Sequence, residues 1–227
     1  MAKNRVFTDQ ELKELSTRTM DAAVQAVEAG DKEKAKKLIT RMSKEFQGIH
    51  DLYMNWAADL MDYIYTHNGE DALYQAMRKV VESYMGPLAE AYGKADFKRQ
   101  VTMAAAGLRA HLEALEIEED DEKVSIKMKP CGSGQRLMES GAYDSPRKLS
   151  RLKAHPMTWG LPDFPIYCAH SPIQEMVGIE RIGRPAFACI PSEPMAKESC
   201  RFLIYKDPDA IPEQLYTRVG KKKPKRS

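Results

Sequence analysis

The chain has 227 residues, 43% hydrophobic and 30% charged, with 35 Lys and Arg nearly balanced by 33 Asp and Glu. This composition excludes a disordered chain and a general nucleic-acid binder, and no uncharged stretch approaches the roughly 18 apolar residues of a spanning helix. Met1 is followed by Ala2, Lys3 and Asn4 rather than a secretory core, and four cysteines are too few for a disulfide framework, so a cytoplasmic protein with thiols or thiolate ligands is expected.

Thr8, with Glu11 three residues on, forms a capping box for a first helix running to Ala29. Gly30 ends it and Asp31 starts a longer one. Leu38, Met42, Phe46, Ile49, Tyr53, Trp56, Leu60 and Ile64 then recur at three- and four-residue intervals, which predicts a core-forming face. Asn68-Gly69 is a stop signal, Glu70 starts another helix that ends before Gly86-Pro87, and a fourth spans Lys94 to about Leu115. Together these predict a helical bundle or layer over 1–115.

After Leu115 the period changes to two. Glu116-Ile117-Glu118, the turn Glu119 to Glu122, and Val124 to Met128 read as a β-hairpin, delivering the chain to Cys131-Gly132-Ser133-Gly134. An irregular connector fills 140–165. A helix from about Pro172 to Gly178 and strands near Ile179–Arg181, Pro185–Cys189 and Ser199–Tyr205 complete a small lobe over 116–219, so the fold class is α+β. The basic residues Lys221, Lys222, Lys223, Lys225 and Arg226 read as a solvated, disordered tail over 220–227 without function.

Cys131, Cys168, His170 and Cys200 each fall at a turn or an element edge, where short side chains can converge. Thiolate with imidazole is the ligand set that zinc and iron prefer. Four ligands would close a structural site; three would leave a position open for water or substrate. Cys189, between Ala188 and Ile190, reads as a core residue, and buried or redox-active thiols are the alternatives for the others.

The run Tyr167-Cys168, Gln174-Glu175-Met176, Gly178, Pro191 and Cys200-Arg201-Phe202-Leu203-Ile204-Tyr205 resembles the C-terminal region of the L-2-amino-thiazoline-4-carboxylic acid hydrolase-like family. The resemblance covers about the last third of the chain and the helical-then-α/β order. This sequence has Ser171 where the family commonly has an aspartate, and Arg201 where it often has an acid. The resemblance implies that Cys168 and Cys200 hold matching positions and that an amidine-like or ring C–N bond is hydrolysed.

Outside the cluster, His50 with Asp51, Asp59 and Asp62 could act as a general base set, and His155 and Trp159 could reach over a site from the connector. Arg136, Arg147 and Arg151 could clamp a substrate carboxylate, although scattered surface arginines are commoner. Three functions compete: a metal-dependent hydrolase or lyase acting on a small polar or amino-acid-like molecule, with His170, His50 and His155 as catalytic candidates; a ligand-binding or sensor module stapled by a closed metal site; and a thiol enzyme with Cys168 as nucleophile and His170 or His155 as its base. A small-molecule partner is expected, a membrane or nucleic acid is not, and self-association is left open.

Overall fold

Thr8 caps helix α1 (Asp9–Ser16) as the sequence predicts: its hydroxyl accepts the Glu11 N–H at 3.2 Å, and Glu11 Oε2 accepts the Thr8 N–H at 2.7 Å. These geometries come from a computed structural model that describes residues 6–195 and 198–224. The expected single helix to Ala29 is two, α1 and α2 (Thr19–Glu28). The Thr17 hydroxyl donates to the Lys13 carbonyl at 2.7 Å and the chain turns extended at Thr17, a side-chain competition that ends helices.

Helix α3 (Lys32–Lys94) breaks at Gly69, whose φ of 85° and ψ of 179° are open to glycine alone. It does not stop at Gly86-Pro87. Proline within a helix removes one N–H donor, yet α3 continues through the exposed Pro87, and α4 (Phe97–Arg109) follows, capped by Asp96, whose carboxylate accepts the Arg99 N–H at 2.7 Å.

The chain divides into two compact units, one reaching Tyr53 and one beginning at Met54. Helices of 54–109 therefore belong with the sheet, and the change of period near Leu115 marks only the step from helix to strand. In the first unit Ala23, Ala26 and Ala35 are the buried apolar residues among those described.

Of the stripe expected to form the core of α3, Leu38 and Met42 are half-buried and Ile64 packs against the core, but the middle of the stripe is exposed. Phe46, Ile49, Tyr53, Trp56 and Leu60 are 39% to 57% exposed, whereas Met54, Ala58 and Met61 are buried. The helix carries two apolar faces, and the bulkier drew the sequence reading. Ala58, completely buried, lets another element approach the backbone more closely than an aromatic could.

The predicted hairpin is present as β1 (Ala114–Glu119) and β2 (Lys123–Lys129). Asp120 Oδ1 accepts the N–H groups of Glu122 and Lys123 at 2.8 Å each, an Asx turn. With β5 (Ala188–Ile190) and β6 (Arg201–Tyr205) these strands form an antiparallel sheet in the order β1-β2-β6-β5. Between them lie α5 (Gly134–Glu139), the short pair β3 (Arg151–Leu152) and β4 (Phe164–Pro165), and α6 (His170–Ile182); α7 (Gln214–Thr217) closes the fold. The architecture is α+β, with a helical N-terminal portion and a small antiparallel sheet.

Residues 179–181, expected as a strand, are the last turns of α6, which ends at Gly183 with φ 73°. Gly178 is a packing contact rather than a stop, because a Cβ there would lie 2.9 Å from the Ala186 backbone nitrogen. The basic segment is anchored as far as it is described: Lys223 Nζ donates to the carbonyls of Asp209 and Ile211 at 2.6 and 2.8 Å. Lys225 and Arg226 lie outside the described residues. Among the described residues no helix is long and apolar enough to cross a membrane.

Candidate functional site

A cavity of about 260 Å³ opens in the second unit, walled by the end of α3, α4, the Cys131 loop, the start of α6 and the β5–β6 edge. Cys131, Cys168, His170 and Cys200 all line it. The four residues singled out in the sequence therefore share one cavity. Most of the wall is apolar, with Met85, Leu88, Met103, Leu108, Phe187 and Phe202, and its polar members include Tyr84, His111, Gln135, Gln174 and Glu198.

The four cluster residues ring the cavity rather than meet at its centre. Among the described residues no three His, Cys, Asp or Glu side chains are gathered to hold a metal ion, so the expected zinc or iron centre is not formed. Three of the four have a local partner that turns them elsewhere. Cys131 Sγ lies 3.8 Å from Ser133 Oγ, His170 Nδ1 lies 2.7 Å from the Tyr167 carbonyl, and Cys200 pairs with Cys189.

Local sequence explains these positions. Cys131 follows β2, and its N–H donates to Gln135 Oε1 at 3.1 Å in the first turn of α5. Cys168 lies in the 3₁₀ turn Ile166–Ala169 that leads into α6. Its Sγ sits over Gly134, where a Cβ would lie 2.7 Å from it, so the glycine loop makes room for this thiol. Burial pushes the Cys168 thiol well up, with Cys200 and Cys131 nearby adding to it.

Cys200 behaves oppositely. Its sulfur accepts the Cys189 thiol and the backbone N–H groups of Ser192 and of Cys200 itself, which together outweigh partial burial and hold its pKa below the ordinary thiol value. Cys189 is fully buried, as its apolar strand implies, and burial together with its bond to Cys200 pushes its pKa up. Of this pair Cys200 ionises first.

His170 is half-buried, and its desolvation lowers its pKa against the opposing bond to the Tyr167 carbonyl. With Nδ1–H donated to that carbonyl, the ring is the neutral tautomer that carries its lone pair on Nε2. Tyr92, also in the wall, has a buried hydroxyl with no hydrogen-bond partner among the described residues.

The remaining candidates lie elsewhere. His50 belongs to the first unit and lies 3.3 Å from Asp51 Oδ1; His155 Nδ1 accepts the Met157 N–H at 3.1 Å and packs edge-on to Tyr74. Asp59 pairs with Arg147, and Asp62 accepts the Ser150 N–H at 2.7 Å. Arg151 reaches Asp163 and the Tyr143 ring, and Arg136 faces Glu113 at 3.7 Å. Among the described residues the cavity wall contains no lysine or arginine.

Sequence reasoning missed the network behind the wall. Glu175, buried on α6, accepts from Cys189 N–H at 2.6 Å, Arg218 at 2.7 Å and Trp159 Nε1 at 2.9 Å. Burial raises its carboxyl to about 7 against the opposing Arg218 charge and these bonds. A glutamate between Ile173 and Met176 on an apolar helix face was the available signal, since such a residue demands buried partners. No protein-family model, curated protein or solved structure matches this chain.

Proposed function

We propose that the cavity binds a small, uncharged, largely apolar molecule and that Cys200 attacks the electrophilic carbon of a C–N bond in it, making the protein a cysteine-nucleophile hydrolase. The observation that carries this reading is that Cys200, whose ionised form is favoured by the Cys189 thiol and backbone N–H groups, and the His170 imidazole line the same cavity. The resemblance at Cys168 and Cys200 agrees with it, since both thiols line the cavity. Cys168, buried with a raised pKa, is the poorer nucleophile of the two.

In this reading His170 Nε2, which shares the cavity wall with Cys200, takes the thiol proton through an intervening water as the S–C bond forms. The imidazolium returns that proton to the nitrogen as the C–N bond breaks and the amine leaves. Water then loses a proton to Nε2 while its oxygen displaces sulfur, and that proton restores the thiol.

The ligand class follows from the wall. A carboxylate buried there would meet no described lysine or arginine, Glu198 in the wall is already paired with Lys127 at 2.8 Å, and burying an unpaired charge is costly.

The test is iodoacetamide labelling across pH with the modified residue mapped by mass spectrometry, together with titration of benzamide, benzamidinium and benzoate, which share a shape and differ in charge. Cys200 is expected to label first, and benzamide to bind most tightly. Labelling of Cys131 or Cys168 with Cys200 silent sinks the nucleophile assignment, and preferential benzoate binding sinks the ligand class. Benzamide binding without turnover of any neutral amide or nitrile would leave a ligand-binding module.

A further inference from the structure

Of the four cysteines, Cys189 alone stays out of the cavity wall, and it is completely buried. The sheet sets it against Cys200. In the antiparallel β5–β6 ladder Cys189 faces Phe202, and Cys200 stands two residues before Phe202, so the two cysteines are diagonal neighbours on one face of the sheet. Across that diagonal the Cys189 thiol donates to the Cys200 sulfur.

The two residues are held differently. On the outer edge of β5 the Cys189 N–H donates to Glu175 Oε1 at 2.6 Å, and the Cys189 carbonyl accepts from Arg218 Nη2 at 3.0 Å, so its backbone is clamped at both groups. Cys200 stands one residue before β6, outside a ladder that ends at Ile190 and Arg201. Diagonal Cα atoms lie about 7–8 Å apart and disulfides span roughly 4.4–6.8 Å, so joining the two sulfurs takes on the order of 1 Å of backbone movement. The residue outside the ladder is the one that supplies it.

The cavity suits a hydroperoxide, which is small, neutral at pH 7 and in need of no cation, since no described lysine or arginine lines the wall. Cys200 is the thiol there whose ionised form its neighbours favour, and the thiolate is the form that attacks a peroxide.

We propose that Cys200 reduces hydroperoxides that enter the cavity and that Cys189 resolves the product as a Cys189–Cys200 disulfide. The Cys200 thiolate attacks one peroxide oxygen and the O–O bond breaks. The departing alkoxide takes up the proton that the thiol gave away, leaving an alcohol and a sulfenic acid. The Cys189 sulfur then attacks the Cys200 sulfur, the S–O bond breaks, and hydroxide leaves as water with the Cys189 proton. Two thiols are oxidised as one peroxide is reduced, and a small dithiol reopens the bond by exchange, itself becoming a disulfide. The proposal rests on Cys200 as the reactive thiol of the hydrolase reading, and the closed bond removes that nucleophile.

The test treats the reduced full-length protein with equimolar hydrogen peroxide, blocks the remaining thiols with iodoacetamide and maps tryptic peptides by mass spectrometry; trypsin cuts after Lys197, between the two cysteines. The expected first product is the cross-linked Cys189–Cys200 peptide pair, with loss of iodoacetamide labelling at Cys200 that dithiothreitol restores. In Cys189→Ser, and in Cys189→Ala as a second variant in case a buried serine unfolds the sheet, Cys200 is expected to gain oxygen irreversibly as a sulfinic acid.

A wild-type disulfide from Cys200 to Cys168 or Cys131, oxygen added to wild-type Cys200 without a cross-link, or reversible protection of Cys200 in both Cys189 variants would each overturn the proposal. Reduced Cys200 that labels normally but forms no disulfide overturns this proposal alone; reduced Cys200 that does not label overturns the hydrolase reading with it.

Discussion

The Sγ of Cys168 occupies the space over Gly134, 2.7 Å from where a Cβ would stand. This contact couples the loop after β2 to the turn before α6, and so fixes two sides of the cavity. Gly134→Ala is expected to force one of them to move, lowering stability by about 1–3 kcal/mol, as overpacking commonly does. A melting temperature equal to wild type would show that the loop yields freely.

Cys189 acts on the cavity from behind it. Cys189→Ala removes the thiol that donates to Cys200, and the labelling midpoint of Cys200 is expected to move to higher pH while the Ser192 and Cys200 N–H groups still hold part of the effect. The small side chain lost from a fully buried position should also lower stability by about 1 kcal/mol. An unchanged labelling profile would mean that the backbone N–H groups alone set Cys200.

Glu175 makes stability depend on pH in a defined direction. Its folded pKa is raised from 4.5 to about 7, so the folded state binds its proton more tightly than the unfolded state does. The contribution is fully present below about pH 4.5 and is lost as pH rises through 7, amounting to at most about 3 kcal/mol. Wild type should therefore lose stability between pH 5 and about 7 relative to Glu175→Gln, in which the group cannot titrate. Parallel denaturation curves for the two proteins across that range would refute the raised pKa.

Removing the carboxylate altogether has a separate consequence. Glu175→Ala leaves the Arg218 guanidinium, only 16% exposed, without its ion partner and orphans the Cys189 N–H and Trp159 Nε1. A loss of about 3–5 kcal/mol is expected in urea denaturation.

Truncation after Gly220 tests the anchored end of the chain. It removes Lys221 N–H from the Tyr216 carbonyl and Lys223 Nζ from the carbonyls of Asp209 and Ile211. A fall of about 1–2 kcal/mol is expected; no change in melting temperature would mean that water replaces these bonds without loss.

The sequence by itself determined what depends on neighbours a few residues apart. The Thr8 cap, the break at Gly69 and the hairpin turn at Asp120 each rest on one short hydrogen-bonding or backbone rule, and each is present in the fold. It also singled out Cys131, Cys168, His170 and Cys200, because those residue types at element edges have few ordinary structural roles, and all four line one cavity. Only tertiary structure decided what they do there. Ligand geometry requires convergence to within bonding distance, and the groups instead turn to Ser133, Tyr167 and Cys189, partners that no spacing rule predicts. The same limit applies to α3 and to Gly178. A helix with two apolar faces does not reveal which one its own chain covers, and a glycine needed for close approach to Ala186 reads as a stop until the approaching backbone is known. The Glu175–Arg218 pair spans 43 residues, and only the packing of α6 against the end of the chain brings it together.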